Sequence, residues 1–222
     1  MVSFFGRVAL IVLLACGPAQ AAVPDDGELV FDIIRNGDPI GTHRFRFERA
    51  GERVDVAIDI QIKVKVLLLT VYDYQHSNRE TWENGQLVRL LTQTDDNGDP
   101  HRVDGQLTPA GFKVVSEANQ HVMAEPVIPT SYWRTDTVNA RQMLNTQTGE
   151  LMNVTITPGS ETRIKARGQE IEARHYVISG DLDLEIWYDA DDVLVGLRFA
   201  GSDGSVIEYS LRPPSQTTAR GG

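Results

Sequence analysis

Between Val54 and Val66 the chain reads V-D-V-A-I-D-I-Q-I-K-V-K-V, with Val54, Val56, Ile58, Ile60, Ile62, Val64 and Val66 apolar at every even position. Asp55, Ala57, Asp59, Gln61, Lys63 and Lys65 occupy the odd positions. Successive side chains of a strand point to opposite faces, so this period lays the branched apolar groups on one dry face and the rest toward water. On a helix the same residues would be scattered around the circumference. At about 3.3 Å per residue the stretch spans roughly 43 Å, about twice an ordinary strand. So long a strand implies a large, curved antiparallel sheet.

The same alternation recurs on both sides. Leu29, Phe31 and Ile33 alternate with Val30, Asp32 and Ile34, and after the turn signal Asn36-Gly37-Asp38-Pro39 come Gly41, His43, Phe45 and Phe47. Two such runs across a tight turn predict a hairpin. Tyr72, Tyr74, His76, Asn78, Glu80 and Trp82 share one face of the strand that ends at Asn84-Gly85. Leu87–Thr94, His101–Leu107 and Phe112–Ser116 continue the series, with Asp95-Asp96-Asn97-Gly98 as another hairpin turn. Past Val66 the alternation loosens at Leu67, Leu68 and Leu69, where both faces are apolar; a bulge, a bend or a covering loop would each produce this. Leu151–Thr157, Glu161–Arg167, Glu170–Ser179, Asp181–Tyr188, Val193–Phe199 and Val206–Leu211 read as later strands.

The rhythm breaks between Ala124 and Gly149. Pro126 and Pro129 stop strand pairing, a short helical turn is expected over Asn139–Leu144, and so long an interruption suits a lid or plug. Tyr132 and Trp133, directly after Pro129, are expected to point inward as an apolar cap. The fold class predicted is all-β: a single curved antiparallel meander sheet, or an incomplete β-barrel (half-barrel), of about ten strands. One irregular or short-helical segment covers its concave side.

Composition narrows the setting. Residues 1–21 read as a signal peptide, with Arg7 before the apolar run Val8–Ala15 and a small-x-small cleavage pattern at Ala19-Gln20-Ala21. That run is too short to span a bilayer, so no transmembrane segment is expected in the mature chain. Leu13-Leu14-Ala15-Cys16 also resembles a lipobox, which would anchor the protein through a lipidated Cys16; both readings stay open. Cys16 is the one cysteine, so cleavage before Ala22 leaves no disulfide. Residues 22–212 then form one β-sheet domain, and 213–222 a disordered tail. The formal charge of −10 with no basic stripe argues against nucleic acid and against anionic lipid headgroups as partners.

Gly37–Phe45 (G-D-P-I-G-T-H-R-F), Glu80–Leu87 (E-T-W-E-N-G-Q-L), Pro129–Trp133 (P-T-S-Y-W), Tyr176–Asp189 (Y-V-I-S-G-D-L-D-L-E-I-W-Y-D) and Val206–Leu211 (V-I-E-Y-S-L) together resemble an uncharacterised family of secreted bacterial proteins, domain of unknown function 6134. The resemblance covers nearly the whole mature chain. It implies a compartment, periplasmic or secreted, and a β fold, and it implies no chemistry. The strand order is also similar to the curved half-barrels of periplasmic lipoprotein carriers, a likeness of architecture alone.

Candidate chemistry is sparse. His43, His76, His101, His121 and His175 are widely separated and lack the close pair that usually fixes a zinc site, so no metal is expected. His43 and His76 are expected at the wet margins of the sheet. No G-x-S-x-G elbow is present, and Ser131 has no base placed near it by spacing. Asp181, Asp183 and Glu185 read as a solvated outer face. Asp95–Asp99 lacks the distal Glu of a calcium loop. Aromatic residues suit both a core and an amphiphile-binding rim. The sequence therefore predicts a non-enzymatic envelope protein that holds a hydrophobic or amphiphilic, lipid-like ligand on its concave face, without a cofactor. The candidate ligand-binding residues are Ile58, Ile60, Ile62, Tyr72, Tyr74, Trp82, Tyr132 and Trp133. Three alternatives stay open: a structural or assembly partner of an envelope protein, a hydrolase without a recognisable motif, and a solid barrel with no cavity.

Overall fold

The computed structural model describes residues 23–24, 26–124 and 126–214. The expected signal peptide, Cys16 and the tail beyond Pro214 lie outside them. The first eight strands are β1 (Glu28–Arg35), β2 (Asp38–Ala50), β3 (Arg53–Val66), β4 (Leu69–Glu83), β5 (Gln86–Asp96), β6 (Asp99–Thr108), β7 (Gly111–Ser116) and β8 (Gln120–Met123). Each pairs antiparallel with the next. After a break come β9 (Gln142–Leu144), β10 (Leu151–Pro158), β11 (Thr162–Ala166), β12 (Gln169–Gly180), β13 (Leu184–Tyr188), β14 (Leu194–Ala200) and β15 (Val206–Leu211). β15 pairs with β1, which joins the two runs into one open antiparallel sheet of fifteen strands. The all-β, meandering half-barrel expected from the alternation is the fold observed.

Three local expectations need correction. About ten strands was too few: the thirteen alternating runs each form a strand, and β8 and β9 add two more that, at four and three residues, are too short to display a period. No helical turn covers Asn139–Leu144: Gln142–Leu144 pairs with Leu151–Asn153, and among the described residues the one turn of 3-10 helix lies earlier, at Thr135–Asn139. Its β-branched residues favour no longer helix. β13 begins at Leu184 rather than Asp181, because Asp181 accepts a hydrogen bond from the Asn153 N–H (2.8 Å) and Asp183 one from the Gly180 N–H (3.3 Å). These two carboxylates fix a turn.

The hairpin turns show where the chain obeys local chemistry and where it does not. Asn36-Gly37, Asn84-Gly85 and Asn97-Gly98 hold positive φ at both residues, as a two-residue turn matched to strand twist requires. The β3–β4 turn is Leu67-Leu68, with Leu67 at φ 56°.

Residues of the break are the plug. Val127, Ile128, Tyr132, Trp133, Met143 and Leu144 are all buried. The Trp133 ring meets Phe47 of β2 at 5.2 Å and Trp82 of β4 at 5.8 Å. Tyr188 of β13 donates to the Tyr132 carbonyl at 2.6 Å. Further along, a Cβ on Gly149 would lie 3.0 Å from Ser116 of β7 and 3.4 Å from Val103 of β6. Strands from both halves of the sheet thus reach one segment, and the sheet curls around it as an open barrel. Trp187, adjacent to Tyr188, donates to Thr162 of β11 (3.0 Å) and is itself buried.

Candidate functional site

The inner face of β3 changes character along its length. Val54, Val56 and Ile58 are buried, Ile58 to 2% exposure; Ile60, Ile62 and Val64 are half-buried; Val66 is 56% exposed. The neighbours are the cause. Pairing of β2 with β3 ends at Gly41–Ile62, and pairing of β5 with β4 ends at Asp96–Tyr74, yet β3 and β4 continue together to Val66 and Leu69. The barrel therefore has a closed end, floored by the plug, and a mouth where apolar inner-face residues are uncovered.

At the closed end a buried carboxylate ties plug to wall. Glu80 is 1% exposed and accepts hydrogen bonds from Asn78 Nδ2, Trp82 Nε1 and Trp133 Nε1, each at 2.9 Å. The Arg134 guanidinium lies over the Trp82 ring, 4.4 Å from its centroid, and is held by Asp136. Ile58, Trp82, Tyr132 and Trp133, half of the sequence-derived candidates, belong to this packed region. They are structural walls and floor.

Above it runs a polar band. His76 on β4 contacts Thr94 Oγ1 of β5 at 2.7 Å, and His43 on β2 stacks 4.2 Å from Phe45 and 5.6 Å from Tyr209 of β15. Both histidines are 5% exposed, so the expectation that they sit at wet margins is overturned. Burial, with some repulsion from His76, lowers the His43 pKa to about 3, and burial lowers that of His76 to about 4; both rings are neutral at pH 7. Within the described residues, His43 Nε2, Asn78 Oδ1 and Thr92 Oγ1 have no hydrogen-bond partner. Buried polar groups are ordinarily satisfied, which sets these three apart within the interior.

At the mouth two tyrosines are tied to the β5 end and to the plug. Tyr72 donates to Asp96 Oδ1 (2.8 Å) and Tyr74 to Gln147 Oε1 (3.1 Å), while Gln147 Nε2 donates to Asp96 Oδ2 (3.1 Å). The rings of Tyr72, Tyr74 and His76 stack in a ladder, each centroid 6.4 Å from the next. Burial raises the Tyr132 hydroxyl above its ordinary range, as do the phenols of Tyr209 and Tyr74 beside it. Burial likewise raises Tyr74, with Tyr209, Tyr72 and Asp96 adding to it. Ile60, Ile62, Tyr72 and Tyr74 are thus the four sequence-derived candidates brought together at an accessible place. The reading missed His43, His76, Asp96, Gln147 and Tyr209. Parity could have found the histidines, since His43 shares its face with Phe45 and His76 with Trp82. Gln147, in an aperiodic segment, had no such signal.

A separate cleft of about 620 Å³ lies at the closed end, where Val23 and Pro24 meet Pro213 and Pro214. Its arginines are already matched: Arg44 with Glu28, Arg167 with Asp189 and Arg212 with Asp32. It offers less free chemistry than the mouth.

The model of a family described as Domain of unknown function (DUF6134) matches residues 31–212. No curated protein matches the chain. Among solved structures the chain is similar to a beta-barrel-like protein of domain of unknown function DUF1849 from Brucella abortus. The TM-score is 0.59 at 8% identity, over 83% of this chain and 94% of that one. That likeness is one of fold.

Proposed function

The chain belongs to the DUF6134 family, and within it we propose a non-enzymatic envelope protein, periplasmic or secreted, that binds an amphiphile at the mouth of the barrel. The supporting observation is the uncovering of one continuous apolar face, from Ile58 inside to Val66 outside, beside a fixed cluster of phenols, a carboxylate and an amide. A ligand's apolar part would lie on Ile60, Ile62 and Val64. Its polar end would meet Tyr72, Tyr74, Gln147 and Asp96. Asp96 is the charged member of that set, so a neutral or cationic head is favoured and an anionic one repelled. The whole concavity is not the site, because Trp82, Tyr132 and Trp133 already fill its floor.

The test compares two fluorescent probes of similar apolar body, neutral N-phenyl-1-naphthylamine and anionic anilinonaphthalenesulfonate. The neutral probe should bind the wild type more tightly, and Ile62→Ser should weaken it about tenfold. Absence of binding in the wild type, or equal affinity in Ile62→Ser, would sink the proposal.

A further inference from the structure

The β3–β4 hairpin does not stop at the rim. With β2 ending its pairing at Ile62 and β5 at Tyr74, and the Asp73 carbonyl still accepting from the Asn97 N–H (2.8 Å), the two backbones run on alone through Lys63–Val66 and Leu69–Tyr72. Four residues of strand correspond to roughly 13 Å of unaccompanied ribbon. At its end Leu67 is 94% and Leu68 96% exposed, Leu69 72%, with Val66 and Val71 more than half exposed. Of the three readings open for these leucines, a bulge, a bend or a covering loop, the chain takes a tight turn, and no described residue covers them. Natural sheets blunt such edges with charge, proline or turn residues, and this chain does so with Asn-Gly at three other tight turns. Here it places Leu67 in a left-handed conformation that disfavours a leucine. Local stability and solubility are both given up at one point.

We infer that this finger is a membrane-contacting element whose leucine tip enters the outer part of a lipid bilayer. Two features select lipid over a protein socket. The tip is convex and apolar on both faces and at the turn, so its occupant must surround it, as fluid acyl chains do. Behind the tip the residue types follow the order of a bilayer surface: leucines and Val66 first, then lysines and tyrosines in alternation, Lys65, Tyr72, Lys63 and Tyr74. Lysines that extend their ammonium outward and tyrosines at headgroup depth are the usual flank of an inserted apolar segment. Lys63 is paired with Asp73 at 2.8 Å, and Lys65 has no ion-pair partner among the described residues. Stretch 63–73 carries two lysines and one aspartate, a local excess of positive charge in a chain of net charge −10. The acidic balance of the whole chain therefore does not describe its tip. Insertion would set the mouth, with Ile62 and Tyr74, directly at the membrane surface. Val64, Tyr72 and Tyr74 serve both readings, but the leucine tip, Leu67 to Leu69, lies outside the mouth cluster, so the two can be tested apart.

The test is flotation of the purified protein with vesicles of phosphatidylcholine and phosphatidylglycerol (3:1), at low salt and at 0.5 M NaCl. The double variant Leu67→Asn/Leu68→Gly replaces the tip with the turn that the other hairpins use, and it should fold at least as well by thermal melting. Wild type should float at both salt concentrations, and the variant should bind about a hundredfold more weakly, about tenfold per leucine. Neutral-probe binding at the mouth should be unchanged in the variant, which separates this inference from the ligand proposal. Failure of the wild type to float, equal flotation of the folded variant, or binding abolished by salt would overturn insertion. So would a dimer in the wild type that becomes a monomer in the variant, because the leucines would then serve self-association.

Discussion

Replacing Ile58, Ile60 and Ile62 by alanine one at a time walks the same chemical change from the core to the mouth. Ile58 is 2% exposed and lies opposite Phe45, itself fully buried, with Asn78 on its other side. Aromatic walls on a paired strand cannot close on the hole, so the loss belongs in the range for a residual cavity, about 3–4 kcal/mol. Ile60 and Ile62 are half-buried. Burying a whole isoleucine is worth about 1.5–3 kcal/mol, so Ile62→Ala should cost about 1 kcal/mol, with Ile60→Ala between the two. Urea unfolding with a common slope gives the three differences directly. Neutral-probe affinity should fall in the opposite order, most for Ile62→Ala and least for Ile58→Ala. If all three cost the same, the mouth is as tightly packed as the floor and cannot admit a ligand. If Ile58→Ala is neutral, the even positions do not face inward.

The closed end and the polar band give two further predictions. Glu80→Leu leaves the N–H groups of Asn78, Trp82 and Trp133 without their acceptor. At about 1–3 kcal/mol for each buried unsatisfied group, it should destabilise far more than Glu80→Gln, which keeps an acceptor; comparable urea midpoints for the two would show that the carboxylate does not organise the plug. For pH, the folded pKa values of His43 and His76 lie below the unfolded value near 6.5, so the unfolded chain takes up protons that the folded chain refuses. Stability is full above pH 6.5 and falls as pH drops toward about 4, by about 1.4 kcal/mol per pH unit for each ring. His43→Phe, which also removes the partnerless Nε2, should flatten that slope by one ring's share between pH 6 and 5. An unchanged slope would place His43 outside the interior.

What the sequence made legible was whatever a period of two encodes. The faces of β3 and β4, the Asn-Gly hairpins and the inward aromatics of the proline-bounded break all follow from alternation or from turn chemistry. Pairing partners distant in sequence were not encoded in that way. The contact of β1 with β15, across Phe31–Leu211, unites the two halves of the sheet, and no local pattern announces it. The candidate site was half legible for the same reason. Ile60, Ile62, Tyr72 and Tyr74 come from periodic strands, whereas Gln147 reaches Tyr74 and Asp96 from the aperiodic plug. Trp82 and Trp133 were legible as inward residues, but the Glu80 that binds both indoles required the plug to be in place.

Alternation also carries a limit that β3 makes explicit. Its apolar face runs unchanged from Val54 to Val66, yet its first residues are core, its middle lines a mouth and its last is in water. Periodicity reports which face a residue occupies, and the neighbouring strands decide whether that face is dry. β2 and β5 leave the hairpin at Ile62 and Tyr74, so the register of those two partners converts a core pattern into an exposed finger. The even spacing continues for four residues past that point, where folding of the described barrel gains little from it. Apolar side chains kept on a ribbon that no described strand covers are what the proposed membrane contact would account for. The leucine turn at the end, unfavourable both for the backbone and for solubility, falls under the same proposal as the valines that lead to it.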